Sequence, residues 1–210
     1  MHRLKRIILY LAGLAVLSFG VVLNMKAGYG VAPINCIPYS ISVITGRSLG
    51  FVTALTYLLF VAAQIVIMGK KFTPLVFLQM PVSIIFGYYT NLFNENIQFG
   101  ELQTPIRFFL LIAAIFCVSL GVVITIRMKL VPNAPDALIA QIAQSTGRNF
   151  GLIKNWFDII CVSFTFLIGV IAGGRVIGIG AGTLAAVILT GRIIHMINSI
   201  WDARWSHGDV

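Results

Sequence analysis

Acid is scarce in this chain: six Asp and Glu residues among 210, against fifteen Lys and Arg. Charged residues of both signs make up only 10% of it, 59% is hydrophobic, and the mean hydropathy is +0.97. So little charge cannot clothe a soluble domain of this length, which excludes that class and leaves a polytopic membrane protein. Histidine is scarce too. His2, His195 and His207 are scattered, and no Ser/His/Asp set or pair of catalytic carboxylates stands at interpretable spacing, so no enzyme activity is expected. Cys36, Cys117 and Cys161 lie in apolar stretches without metal-ligand spacing, which makes them small buried hydrophobes and excludes a metal site. The glycines at 173, 174, 178, 180 and 182 lack the Lys-Ser/Thr ending of a phosphate loop, so neither ATP hydrolysis nor any cofactor is expected. The net charge of +9 is dispersed between apolar runs, which speaks against nucleic acid and for basic loops on the cytoplasmic side.

Runs near 20 residues, enough to cross about 30 Å of hydrocarbon, predict six spans. They fall at Arg6 to Asn24, Ser48 to Gly69, Phe72 to Phe93, Ile106 to Ile126, Phe150 to Gly173 and Ile177 to Trp201. The first is read as an uncleaved span, because no small-residue cleavage site follows it. Two shorter stretches, Pro33 to Thr45 and Pro135 to Thr146, are each opened by proline and closed by Thr-Gly-Arg. They are too short to span, so re-entrant or interfacial helices are expected.

What the chain does have is one pattern twice. Ser18-Phe-Gly-Val-Val22 and Thr45-Gly-Arg-Ser-Leu-Gly50 return as Ser119-Leu-Gly-Val-Val123 and Thr146-Gly-Arg-Asn-Phe-Gly151, with Gly20 to Gly121 and Gly46 to Gly147 both 101 residues apart. A shared spacing across separated motifs implies a duplication, with one unit at residues 1–100 and another at 101–210 forming a single membrane domain. If both short stretches return to the side they came from, Arg3, Lys5, Arg6, Lys70, Lys71, Arg127, Lys129, Arg148, Lys154 and Arg204 gather inside or near the inner face. Lys26, Arg47, Arg107 and Arg175 then lie outside with Glu95 and Glu101. Eight spans would remove most of that bias, so both termini are expected in the cytoplasm with three spans per half. Three is odd, so the halves are inverted. The expected fold is all-α and integral to the membrane, two inverted three-span repeats each with a short re-entrant or interfacial helix.

Asn35 and Asp136 correspond at the same offset, beside Pro33 and Pro135. Proline suits a helix start, and Asn or Asp beside it can cap free amides. Alternatively, two broken-helix starts face a shared cavity, where helix dipoles favour an anion and the Asp136 carboxylate a cation. The sequence leaves both open. Thr45-Gly46-Arg47 and Thr146-Gly147-Arg148 read as helix ends, with glycine in a left-handed cap and arginine near the negative end of the dipole.

The residues Gly-Tyr-Gly-Val-Ala-Pro-Ile-Asn35, Thr45-Gly-Arg-Ser-Leu-Gly50, Gly178-Ile-Gly-Ala-Gly-Thr183 and Gly191 resemble the YczE/YyaS/YitT group of bacterial integral membrane proteins over nearly the whole chain. Asn35 stands where that group's pattern has aspartate, and Val131-Pro-Asn133 replaces its glycine turn in the second half. The resemblance implies a bacterial inner-membrane protein of transport type.

Ionisable groups at membrane depth complete the candidates. Asp158 follows Lys154 by one helical turn, and Arg192 and His195 lie one turn apart in the last span. Such charges cost about 2.5 to 3.5 kcal/mol on insertion scales, so they face protein or water and find partners. At the main offset Asp158 matches Tyr57. Gly87 matches Gly191 at an offset of 104, which sets Arg192 against Tyr88 and His195 against Asn91. Charge in one half where the other is neutral points to a site. Asp158 and Arg192 are expected to face one cavity with Asp136 at its edge, protonation of a carboxylate coupling to solute movement; a Lys154 to Asp158 pair is the local alternative.

The expected function is transport of a small solute by alternating access. A lipid-phosphate translocase and a substrate-binding subunit of a multi-component importer are the competing readings. The expected partners are membrane lipid, the small-molecule or lipid substrate, and a second copy of the chain or an energising subunit.

Overall fold

The computed structural model describes residues 3–69, 74–148, 150–172, 174 and 176–205. Over these the chain forms α1 (Arg3–Ala27), α2 (Pro33–Thr45), α3 (Leu49–Met68), a 3-10 turn (Pro74–Leu78), α4 (Gln79–Asn96), α5 (Thr104–Arg127), α6 (Ala134–Thr146), α7 (Phe150–Ile171) and α8 (Ala181–Trp205), with no strand among the described residues. Six helices are long and apolar enough to cross a membrane, which makes this a multi-pass membrane protein by length and composition.

The short helices α2 and α6 have matching ends. Both begin with a proline in the first turn and stop at a glycine, Gly46 or Gly147, held at φ 66°. The hydroxyls of Thr45 and Thr146 donate back to the Ile41 and Ile142 carbonyls, each at 2.7 Å. Arg47 and Arg148 are exposed just beyond. The Thr-Gly-Arg motifs thus end helices, as their chemistry implies.

Packing centres on α1 and α5, which run antiparallel. The guanidinium of Arg6, near the start of α1, donates to the Met128 carbonyl at the end of α5 (2.5 and 3.1 Å). Arg107, 101 residues on, donates in turn to the Ala27 and Gly28 carbonyls at the end of α1, both at 2.9 Å. The helices cross where the Ser-x-Gly-Val-Val motifs meet. A Cβ on Gly20 would lie 2.6 Å from the Val118 nitrogen, and one on Gly121 2.6 Å from the Leu17 nitrogen, so both must stay glycine for the backbones to approach. On the flanks, Ser18 donates to the Phe86 carbonyl of α4 (3.4 Å) and Ser119 to the Thr190 carbonyl of α8 (3.5 Å). Phe86 and Thr190 immediately precede Gly87 and Gly191, which agrees with the 104-residue register for the last span of each half.

Two span starts differ from expectation. The start expected at Phe72 lies outside the described residues, and within the expected span Pro74–Leu78 forms a 3-10 turn, with α4 beginning at Gln79. In place of a helix from Ile177, α8 begins at Ala181. The Gly178 carbonyl accepts from the Val31 N–H at 2.7 Å, and Gly178 sits at φ 79°, outside the helical region. Lys70, Lys71 and Arg175, which entered the orientation argument, lie outside the described residues.

The halves also differ in one contact. α3 packs along α4, and a Cβ on Gly87 would collide with the Gly50 carbonyl oxygen at 2.5 Å. α7 and α8 touch at only a few points, and a Cβ on Gly191 would meet nothing within 4 Å.

Candidate functional site

A cavity of ≈ 90 Å³ lies among α1, α3, α4, α5, α7 and α8 and the first turns of α2 and α6. That is room for several waters or part of a small solute. Its walls are largely apolar, with Leu17, Val21, Val118 and Val122 on one side. Tyr57 and Phe86, stacked at 5.0 Å between ring centroids, form another wall. The polar groups come from two helix starts, from α7, and from Tyr57 of α3 and Thr190 of α8.

Asn35, in the first turn of α2, is buried and accepts from the Tyr57 hydroxyl through Oδ1 at 3.2 Å. Asp136 occupies the corresponding place on α6, partly buried, and among the described residues no hydrogen bond or ion pair reaches its carboxylate. Asp158 is 2% exposed, and both its oxygens lie 3.4 Å from Lys154 Nζ one turn earlier on α7. The local ion pair is therefore the one formed.

Neither α2 nor α6 has a side-chain hydrogen bond capping its start. Asn133, the residue at the α6 cap, is 4% exposed, lines the cavity, and leaves its Oδ1 without a partner. A buried, unpaired amide oxygen is costly, so this atom marks a place where a donor belongs. The sequence marks Asn133 only within Val131-Pro-Asn133, the departure from the glycine turn, and not as a site residue, although its counterpart 101 residues earlier is the apolar Ala32.

Arg192 and His195 are not brought to the site. Both are exposed on α8, whose cavity face carries Ala186, Thr190 and Ile194 instead. The reason is register: α8 packs on α5 through the Thr190 turn, which rotates Arg192 and His195 away from Asp158. Pro33 and Pro135 line the cavity at the helix starts, while Thr45, Gly46, Arg47, Thr146, Gly147 and Arg148 sit at the far ends of α2 and α6 and take no part in it.

The cavity is lopsided along the helix axes. Towards the end where α5 finishes and α7 begins it is lined by Ile126, Lys154 and Ile194. The equivalent residues of the first half, Met25, Thr53 and Thr90, are 9%, 1% and 0% exposed and line nothing. Among the described residues no group of His, Cys, Asp and Glu could hold a metal ion.

No curated protein and no solved structure matches the chain. A family model does, over residues 4–199, and the chain belongs to that family, DUF6198, a family of unknown function.

Proposed function

We propose that this protein is a small-solute transporter of the bacterial inner membrane, working by alternating access between two inverted three-span repeats. In this reading α2 and α6 are re-entrant half-helices that begin at mid-depth and return to the side they came from. The N- and C-termini are cytoplasmic, no catalysis is involved, and the resemblance to the YczE/YyaS/YitT group points to the same location and transport class. The observation that carries it is the lopsided cavity. Two halves of one plan enclose it, yet one end is sealed by α3 on α4 at Gly50 and Gly87, while the other is parted at α7 and α8. Discrete packing alternatives at equivalent contacts are what repeat-based transporters exchange. A neutral tyrosine and asparagine in one half against two aspartates and a lysine in the other further suit a site in place of mere scaffolding.

The test uses single cysteines in a chain whose three native cysteines are replaced by serine. Cysteine at position 154 is expected to react with a membrane-impermeant thiol reagent from the side of the α6 to α7 loop. Cysteine at position 53, or at 90 should the first fail to fold, is expected to react from the opposite side, more slowly. Gly191→Leu has open space in the described packing but obstructs closure of α7 on α8, so it is expected to abolish labelling at 53 and spare 154. Labelling at 53 that is absent in the parent chain, or unaffected by Gly191→Leu, overturns the reading.

A further inference from the structure

The geometry points to a cargo class: the corner of the cavity formed by Asp136 and Asn133 binds the ammonium group of a small organic amine, whose apolar body lies against Leu17, Val21 and Val118. The inference rests on reading this cavity as the transport site. It settles the opposition between helix dipoles and carboxylate that the sequence leaves open.

An anion has little to hold it. Helix starts attract anions through free amides as much as through the dipole, and here Pro33 and Pro135 remove amide hydrogens from both first turns. At the start of α2 the Asn35 N–H is already committed to the Ala32 carbonyl at 2.8 Å, and at the start of α6 the Asp136 carboxylate occupies the third helical position, where it repels an anion approaching the remaining amides. The one cation lining the cavity, Lys154, is engaged by Asp158.

Acceptors, by contrast, are in surplus. Asp136 and Asp158 oppose a single lysine, leaving one formal negative charge, and the Asn133 Oδ1 lies buried and unpaired. An ammonium presents one positive charge and several N–H donors, which matches a carboxylate and an amide oxygen side by side. A bare inorganic cation would need oxygen ligands around most of its surface, whereas most of this wall is aliphatic or aromatic. A charged head on an apolar body satisfies both parts of the lining.

Thermal unfolding of the full chain in detergent, with butylammonium, butyrate, 1-butanol, sodium or potassium at matched ionic strength, tests this directly. A ligand selective for the folded protein raises its apparent stability. Butylammonium alone is expected to produce a saturable shift. Asp136→Asn is expected to weaken it roughly tenfold or more, the worth of a hydrogen bond to a charged group. Arg192→Gln, outside the cavity, is expected to leave it unchanged. Should Asp136→Asn fail to fold, butylammonium is expected to protect Asp136 of the unaltered chain from an apolar carbodiimide, read by mass spectrometry as unmodified Asp136, with the N-acylurea and the butylamide formed by attack of the amine on the activated carboxyl both counted as reaction.

Equal shifts from butyrate or 1-butanol, or no protection of Asp136, overturn the proposal. A sodium or potassium shift that competes with butylammonium assigns the same corner to an inorganic cation and overturns the organic assignment. Amine binding without two-sided cysteine labelling would sink the transport reading alone. Two-sided labelling without amine binding would sink the cargo class alone.

Discussion

Lys129 is the one residue other than glycine with a positive φ among the described residues, at 48°. Its counterpart 101 positions earlier is Gly28, at φ 72°. The two carbonyls receive the equivalent arginines, Arg6 at Lys129 (3.2 Å) and Arg107 at Gly28 (2.9 Å). The turn is thus fixed by its place in the repeat, and the second half keeps it without the residue that makes it comfortable. A left-handed non-glycine residue costs about 1 to 2 kcal/mol, partly offset by the extra freedom glycine gains in the unfolded chain. Lys129→Gly is therefore expected to raise stability by up to about 1 kcal/mol in denaturant unfolding. A loss of stability would mean that the lysine side chain holds the turn. Nothing in the sequence marks this position. Gly46 and Gly147 are legible because glycine appears twice at one spacing, whereas Lys129 shows that conserved geometry within a chain does not require a repeated residue.

At the scale of elements, the α1 and α5 crossing is the least forgiving contact and the α7 to α8 gap the most forgiving. Gly121→Leu would press a side chain into the Leu17 backbone and is expected to abolish the folded, monodisperse peak in size-exclusion chromatography. Gly191→Leu is expected to elute as the parent does. Equal behaviour of the two would sink the packing account. The bounds of α2 and α6 were readable to within a residue because proline and glycine punctuate them chemically. The starts of α4 and α8 were not, since a 3-10 turn and a glycine-rich strap read as apolar as the helices they precede. The facing of α8 was equally illegible, because a helix apolar on all sides shows no inward stripe in its sequence. Depth and the mismatch with Tyr88 and Asn91 of the other half single out Arg192 and His195 in the sequence, and neither specifies azimuth.

For the whole molecule, the ends sort by charge. Arg6, Arg127 and Lys129 cluster where α1 begins and α5 ends, and Arg127 pairs there with Asp202 of α8 at 2.5 Å. Lys26, Arg107 and Glu101 share the other end. In the proposed topology six crossings put the two termini on one side, so tags at the N- and C-termini are expected to report the cytoplasm and a label at Gln98 the exterior. Finding Gln98 on the side of the termini would remove the three-span repeat.

The reciprocal grips of Arg6 and Arg107, and of Gly20 and Gly121, have the form of an isologous dimer interface folded into one chain: residue i touches j, and the equivalent of i touches the equivalent of j. Each half thereby leaves the carbonyl end of its own first helix for the other to close. Neither half is a finished object. A lone half has one complement available besides its sister, another copy of itself packed antiparallel along the first helix, so the economy of a single unit used twice is written into this hub.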